Sequence, residues 1–259
     1  MSIDEGIWGA TPWPTGWDVR HVGETGSTNA DLVAAVAVGT ASNRTVLVTD
    51  HQTAGRGRLD RRWDAPPGAN LLVSMVVAPI PAVPAEVTHR VGLAAVAAVR
   101  RFLATDAASS VGLKWPNDVL LDGRKLAGIL AQRVPGRDAV VVGMGLNVGW
   151  APEGAAALGL LADAAIADPV VTPPRLLRAL LEEFDVLPRD VSALYCDALV
   201  TIGQLVRVEL PGEASALHGR AVAIDDSGRL VVVDADGMSH DLDVGDVVHV
   251  RPTDGQSSV

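Results

Sequence analysis

Residues 51–63 read HQTAGRGRLDRRW and hold four arginines, Arg56, Arg58, Arg61 and Arg62, in a chain whose formal net charge is −10. Gly55 and Gly57 frame the first of them. Glycines let backbone N–H groups approach an anion closely, and guanidinium groups offer forked donors matched to carboxylate or phosphate. Such a loop suits a phosphorylated ligand. It also reads as a solvated, charged connection between two strands, and it matches neither the P-loop nor the dinucleotide fingerprint.

Three further clusters could carry chemistry. In Lys114-Trp-Pro-Asn117-Asp118 a proline turn presents an amide and a carboxylate side by side. Asp118 could hold Mg²⁺ and Asn117 could hydrogen-bond a ligand, although Pro-Asn-Asp is also an ordinary turn. Lys125 opens an otherwise apolar run, so its ammonium should sit at a sheet's end, partly screened from water. There it could neutralise charge building on a reacting phosphate or carboxylate; it could equally guard a strand edge against aggregation. In Gly143-Met-Gly-Leu-Asn147-Val a buried amide must find partners, because leaving it unsatisfied costs about 1–3 kcal/mol. On these residues alone, neighbouring backbone is the better partner for Asn147 than a ligand.

The elements that position these groups follow from periodicity. Ser27, Thr28 or Asn29 can cap a helix that runs through residues 31–36 and stops at Gly39. Residues 45–49 and 70–77 read as buried strands. Pro84 opens a long helix to about Ala104, with apolar positions at Val87, Val91, Ala94, Ala95 and Ala98. Extended segments follow at 111–115, 119–121, 125–134 and 139–148. Thr172-Pro-Pro then caps a helix ended by Pro188. After Ile202 the texture changes: Val206, Val208 and Leu210 alternate with Arg207 and Glu209, the period of a half-buried strand. Four more short strands, broken at Asp225-Asp-Ser-Gly and Asp234-Ala-Asp-Gly, suggest a small barrel. The expected layout is an irregular lead-in at 1–19, a mixed α+β domain at 20–200, a β-barrel at 201–252 and a tail at 253–259.

The bulk numbers narrow the class. With 259 residues, 48% of them apolar and 20% charged, the chain suits a soluble globular protein with one large domain and a small appendage. Its single cysteine, Cys196, cannot form an internal disulfide, which fits a reducing compartment. No secretory signal pattern opens the chain, and the longest uncharged apolar run, 91–99, falls far short of the ~20 residues a membrane span needs. A cytoplasmic protein with no membrane partner is expected. From Ile202 onward four arginines face ten carboxylates, so no nucleic-acid partner is expected either.

Taken in order, Gly-Ser27-Thr28-Asn29, Gln52-Thr-Ala-Gly-Arg56-Gly-Arg58, Trp63 with Pro67-Gly-Ala-Asn-Leu, Lys114-Trp-Pro-Asn117-Asp118, Lys125-Leu-Ala-Gly-Ile and Gly-Leu-Asn147-Val resemble the biotin–protein ligases, the biotin–[acetyl-CoA-carboxylase] ligase family. Each motif is modest, and the ordered set, spanning roughly residues 20–252, is specific. The resemblance implies an α+β fold: a class II synthetase-like catalytic domain of mixed sheet and helices with a C-terminal SH3-like β-barrel. It implies biotin and ATP as substrates, Mg²⁺ as cofactor, and the biotin carboxyl carrier domain of acyl-CoA carboxylases as partner.

The resemblance also implies roles. Ser27, Thr28, Asn29 and Gln52 would surround biotin's ureido ring. Gly55, Arg56, Gly57 and Arg58, with Lys125 and Gly128, would complete the biotin site. Arg58, Arg61, Trp63, Asn117, Asp118 and Asn147 would face the nucleotide, Asp118 also holding Mg²⁺. Lys125, Arg58 and Asp118 would act in catalysis. Two departures stand out. Leu59-Asp60 replaces the basic residue or glycine that relatives often carry, making the loop stiffer and less basic. Only about twenty residues precede the first motif, so the expectation is a ligase without an operator-binding domain. A lipoate or octanoate ligase, which shares the fold, and a non-catalytic biotin sensor are the alternatives.

Overall fold

The computed structural model describes residues 8–162, 165–168, 170–210, 215–243 and 246–249; the expected tail at 253–259 and the end of the expected barrel lie outside them. The first strand, β1 (Asp18–Thr25), is one the sequence pattern did not announce. Its apolar residues Val19 and Val22 are out of phase, and it runs along a sheet edge, parallel to β2 (Thr45–Gln52). Residues 8–17, ahead of it, are irregular in backbone yet packed. Trp8 and Trp17 are buried in the main core, and Trp8 stacks on His21 while its indole N–H reaches Asp50.

Helix α1 (Thr28–Ala37) crosses from β1 to β2, and β3 (Leu71–Val77) leads to α2 (Ala85–Arg100). The expected continuation of that helix to Ala104 does not occur. It stops at Arg100 and a separate short helix, α3 (Thr105–Ser109), follows. Then come β4 (Val111–Lys114), β5 (Asp118–Leu121), β6 (Arg124–Arg133) and β7 (Val140–Leu146), close to the expected segments. The helix after Thr172 is α4 (Pro173–Val186), and a second one, α5 (Ser192–Ala198), was too short to show a period. The seven strands form one mixed sheet in the order β1-β2-β3-β7-β6-β5-β4.

Alternation along the central strands divides this sheet into two faces. Leu71, Val73 and Met75 of β3, with Val140, Val142, Met144 and Leu146 of β7, join the core beneath α2 and α4. On the opposite face Leu47, Val76 and Val141 pack against Leu32 and Val36 of α1. Ser74, Gly143 and Gly145 share that second face by the two-residue period of the strands. Because α1 covers only part of it, a bare patch is left beside the helix's N-terminus.

The last five strands, β8 (Leu205–Glu209), β9 (Leu217–Ile224), β10 (Leu230–Val233), β11 (Ser239–Leu242) and β12 (Asp246–His249), form an antiparallel sheet in the order β11-β10-β9-β8-β12. It is fastened to the larger sheet at the end of β4. The N–H of Trp115 donates to Thr201 Oγ1 at 3.1 Å, and its indole N–H reaches the carbonyl of Gly228 at 3.4 Å. Gly228 has φ +83°, and a Cβ there would lie 2.7 Å from Ala85 Cβ, so the turn fits against α2 only as glycine. Nearby, His89 of α2 stacks on Tyr195 of α5 with ring centroids 3.6 Å apart.

Candidate active site

The bare patch is the floor of a cavity of about 260 Å³. Gly128 on β6 lies opposite Gly145 on β7, and Ser74 on β3 lies opposite Gly143. The absence of side chains is what opens the space. A Cβ on Gly145 would lie 2.2 Å from the Trp63 indole, and one on Gly128 would lie 3.0 Å from the same ring. Met144 and Leu146 point the other way into the core, which explains the Gly-Met-Gly-Leu spacing of the motif.

The roof is the arginine loop, folded as a tight hairpin. Trp63 N donates to Gly55 O at 3.0 Å, Gly57 N donates to Arg61 O at 2.7 Å, and Arg56 bridges to Arg62. Gly55 is required by this packing, since a Cβ there would sit 2.4 Å from Trp63 O; it does not line the cavity, unlike the other expected site residues. At the hairpin's tip Leu59 and Asp60 both take left-handed backbone angles, φ 54° and 55°, where L side chains are strained. Asp60 pairs with Arg56 at 3.0 Å in a fully solvated setting, the groups being 88% and 67% exposed.

Phosphate-matching cations meet carboxylate and amide groups at one wall. Lys125 Nζ lies 2.7 Å from Asp118 Oδ1 and 5.6 Å from the centre of the Trp63 ring. Arg58 donates to Asn117 Oδ1 at 3.3 Å. Asn117 is itself pinned to β6, its Nδ2 donating to Ile129 O while its backbone carbonyl accepts from Ile129 N. Asn147 sits in the wall, yet its amide is already satisfied: Nδ2 donates to Ala156 O and Oδ1 accepts from Asn70. Its partners are one backbone carbonyl and one side-chain amide, so the backbone reading holds for the donor alone, and a bound molecule would meet the residue by contact rather than by capturing a free amide.

The far end is polar and closed. Ser27 occupies the N-cap of α1, but neither it nor Thr172 at the start of α4 makes the expected side-chain cap. Gln52 supplies the cap instead: its Oε1 accepts from Thr28 N at 2.9 Å and from Thr28 Oγ1 at 3.1 Å. Thr28 Oγ1 also lies 2.8 Å from Ser74 Oγ. Asn29 donates to Gln132 through Nδ2, while its buried Oδ1 has no partner among the described residues. The buried Nε1 of Trp63 is likewise unpartnered among them. Ser74, Gly143, Gly145 and Asp64 line the cavity and were not singled out as site residues. Ser74 left one trace, a lone hydroxyl in an otherwise apolar strand.

Comparison with known proteins agrees with this geometry. Residues 25–148 match the model of the biotin/lipoate A/B protein ligase family, and residues 201–250 match the biotin protein ligase C-terminal domain. The chain is 41% identical to the biotin–[acetyl-CoA-carboxylase] ligase of Mycobacterium tuberculosis over 92% of its own length and 91% of that protein. It is 34% identical to the ligase of the same name from Paracoccus denitrificans, over 80% and 91%. Among solved structures, biotin protein ligase from Aquifex aeolicus in complex with biotin and ATP shares the fold, with TM-score 0.71 and 23% identity over 90% of this chain and 99% of that one. A sheet floored by glycine and roofed by an arginine hairpin thus defines a ligase catalytic module with a small β appendage. The chain belongs to the biotin/lipoate A/B protein ligase family. Within that family, the relatives matched along both parts of the chain are named biotin–[acetyl-CoA-carboxylase] ligases.

Proposed function

We infer that this protein is a biotin–protein ligase working in two steps. A biotin carboxylate oxygen attacks the α-phosphorus of ATP, forming biotinyl-5′-AMP as the bond to pyrophosphate breaks. The ε-amine of a carrier-domain lysine then attacks the acyl carbon, AMP leaves, and the amine's proton is released. Both reactants of the first step are anions, so approach is repulsive and negative charge grows at phosphorus. Fixed cations in a site poor in water answer both difficulties.

One observation carries this reading: the hairpin, the Lys125–Asp118 pair and the Thr28–Gln52 end, far apart in sequence, enclose a single cavity. Biotin's ring would lie among Ser27, Thr28, Asn29 and Gln52, with its carboxylate toward Lys125, Gly128 and the hairpin glycines and arginines. Arg58, Arg61 and Trp63 would face the nucleotide. Mg²⁺ fits as an ion shared with phosphate. The carboxylates on the walls are Asp118 and Asp64, each already beside a cation, and Mg²⁺ commonly takes one or two carboxylates together with phosphate oxygens. Asp118 would hold it, and the ion would neutralise phosphate charge. Residues 20–200 would form the catalytic domain and 201–252 the SH3-like barrel, docking the carrier domain of an acyl-CoA carboxylase.

A lipoate ligase is the neighbouring reading, and the polar closed end argues against it, since a dithiolane offers that end no hydrogen bonds. The test is incubation with labelled biotin, Mg-ATP and a carrier domain. Biotin-dependent pyrophosphate release and label on the carrier lysine are expected; label from lipoate but not biotin would overturn the reading, and no transfer at all would favour a sensor.

A further inference from the structure

We propose that Lys114, at the end of β4, is the cation that receives the pyrophosphate leaving ATP. The proposal rests on the ligase reading above and gives its first step a residue which that reading leaves without a task. The strand register draws a single row across the sheet. Gly145 on β7 lies opposite Gly128 on β6, Gly128 opposite Asp118 on β5, and Asp118 opposite Lys114 on β4. Opposed residues of an antiparallel pair put their side chains on the same side, with Cβ atoms about 4.5–5.5 Å apart. Lys114 therefore continues that row one strand past the Lys125–Asp118 pair, just outside the residues that line the cavity.

Its charge is uncommitted. Asp118 is already taken by Lys125 at 2.7 Å, Asp60 holds Arg56, Asp64 holds Arg62, and Arg58 reaches Asn117. Lys114 is half-buried, and its ammonium makes no hydrogen bond or ion pair among the described residues. An ammonium in that position offers three donors to an incoming anion and has no partner to displace.

The direction of the chemistry selects the anion. In the ligase reading biotin's ring lies toward β3 and the N-terminus of α1, and its carboxylate toward Lys125 on β6. Displacement at phosphorus holds the attacking and leaving oxygens roughly in line. As the carboxylate oxygen bonds to the α-phosphorus, the bond to the bridging oxygen breaks and its electron pair stays with pyrophosphate. Continued in strand order, that line runs from β6 across β5 to β4, so the growing negative charge emerges beside Lys114. A cation fixed there stabilises the leaving group and touches nothing that remains for the second step.

The experiment separates the two half-reactions in the parent, in Lys114→Gln and in Lys114→Arg. Lys114→Gln should slow biotin-dependent pyrophosphate release from Mg-ATP about 30-fold, less than an enclosed cation would cost because water and salt screen a half-exposed one. Added pyrophosphate should inhibit that variant about tenfold more weakly, the worth of one charge-assisted contact. Biotin affinity by titration calorimetry, and transfer from supplied biotinyl-5′-AMP to the carrier domain, should stay within about twofold of the parent. Lys114→Arg, which keeps the charge, should recover most of the release rate. In the parent, reductive methylation of Lys114, followed by mass spectrometry, should be slowed severalfold by pyrophosphate and not by biotin; that measurement decides should a variant fail to fold. Release in Lys114→Gln within about threefold of the parent, transfer falling as far as release, or methylation indifferent to pyrophosphate would each overturn the proposal and leave the ligase reading standing. A parent that releases no pyrophosphate in response to biotin would overturn the ligase reading, and this proposal with it.

Discussion

Lys125 Nζ and Asp118 Oδ1 stand 2.7 Å apart across the β5–β6 pair, at the point where a bulge between Val119 and Leu120 shifts the register. Without that shift the two side chains would fall on different faces. The bulge brings a cation and a carboxylate to one wall of the cavity, with the Trp63 ring beside them. Lys125→Ala is expected to keep the fold, since the side chain is 40% exposed and lies at the cavity wall rather than in the core, and to slow adenylate formation by about 10²–10³-fold, the range for losing one group aimed at developing charge. Biotin-dependent pyrophosphate release at saturating substrate measures this, and the parental rate in the variant would dismiss the electrostatic role.

Arg58 reaches from the hairpin to Asn117 on the opposite wall. Arg58→Ala removes the span between roof and wall and should let biotinyl-5′-AMP escape before transfer. Free acyl-adenylate in solution, separated by chromatography after a reaction lacking carrier, is the expected product; retention equal to the parent's would count against the contact.

Asp60 holds Arg56 through a solvated ion pair while sitting in left-handed backbone. Glycine adopts that conformation freely. Asp60→Gly should therefore relieve the tip, release Arg56 for an anionic ligand and slow adenylate dissociation roughly two- to fivefold. Surface ion pairs are weak, which is why the expected gain is small. Faster dissociation in a stopped-flow chase would reverse this reading.

Gly145 is in contact with the Trp63 indole, and a methyl group placed there would overlap the ring at 2.2 Å. Gly145→Ala should leave β7 paired but lift Trp63 and the hairpin with it. KM for ATP should rise about tenfold or more, with a shifted tryptophan emission. An unchanged KM would mean that Trp63 does not contribute to the nucleotide's seat.

His89 is buried against Tyr195, and burial lowers its pKa from 6.5 to about 4. It folds neutral, so the folded state resists protonation that the unfolded chain accepts. Stability from this group is intact above pH 6.5, declines as pH falls toward 4 and then levels off, a loss of at most about 3 kcal/mol. Chemical denaturation at a series of pH values should show this slope in the parent and lose it in His89→Phe.

Much of the catalytic sheet was legible because β2, β3, β6 and β7 are apolar runs bounded by turns, and the functional motifs sit at their ends. β1 escaped because an edge strand buries little, so its pattern, Asp-Val-Arg-His-Val-Gly-Glu-Thr, shows no clean alternation. The burial of Trp8 and Trp17 was not legible in the irregular lead-in, since their partners, Asp50 and Asp185, are distant in sequence. Contiguous site residues such as Arg56 to Trp63 announced themselves by composition. Ser74 did not: a serine in an apolar strand gains meaning only when β3 is known to lie beside Gly143 and across from Thr28.

Beneath Trp63 the cavity floor is main chain, made by Gly128 and Gly145 on two adjoining strands. Side-chain exchange has little to act on there, since any substituent larger than hydrogen at Gly145 runs into the tryptophan above it. Engineering this protein toward other acids must work through the roof and the end wall, leaving the base of the binding chamber as an invariant template.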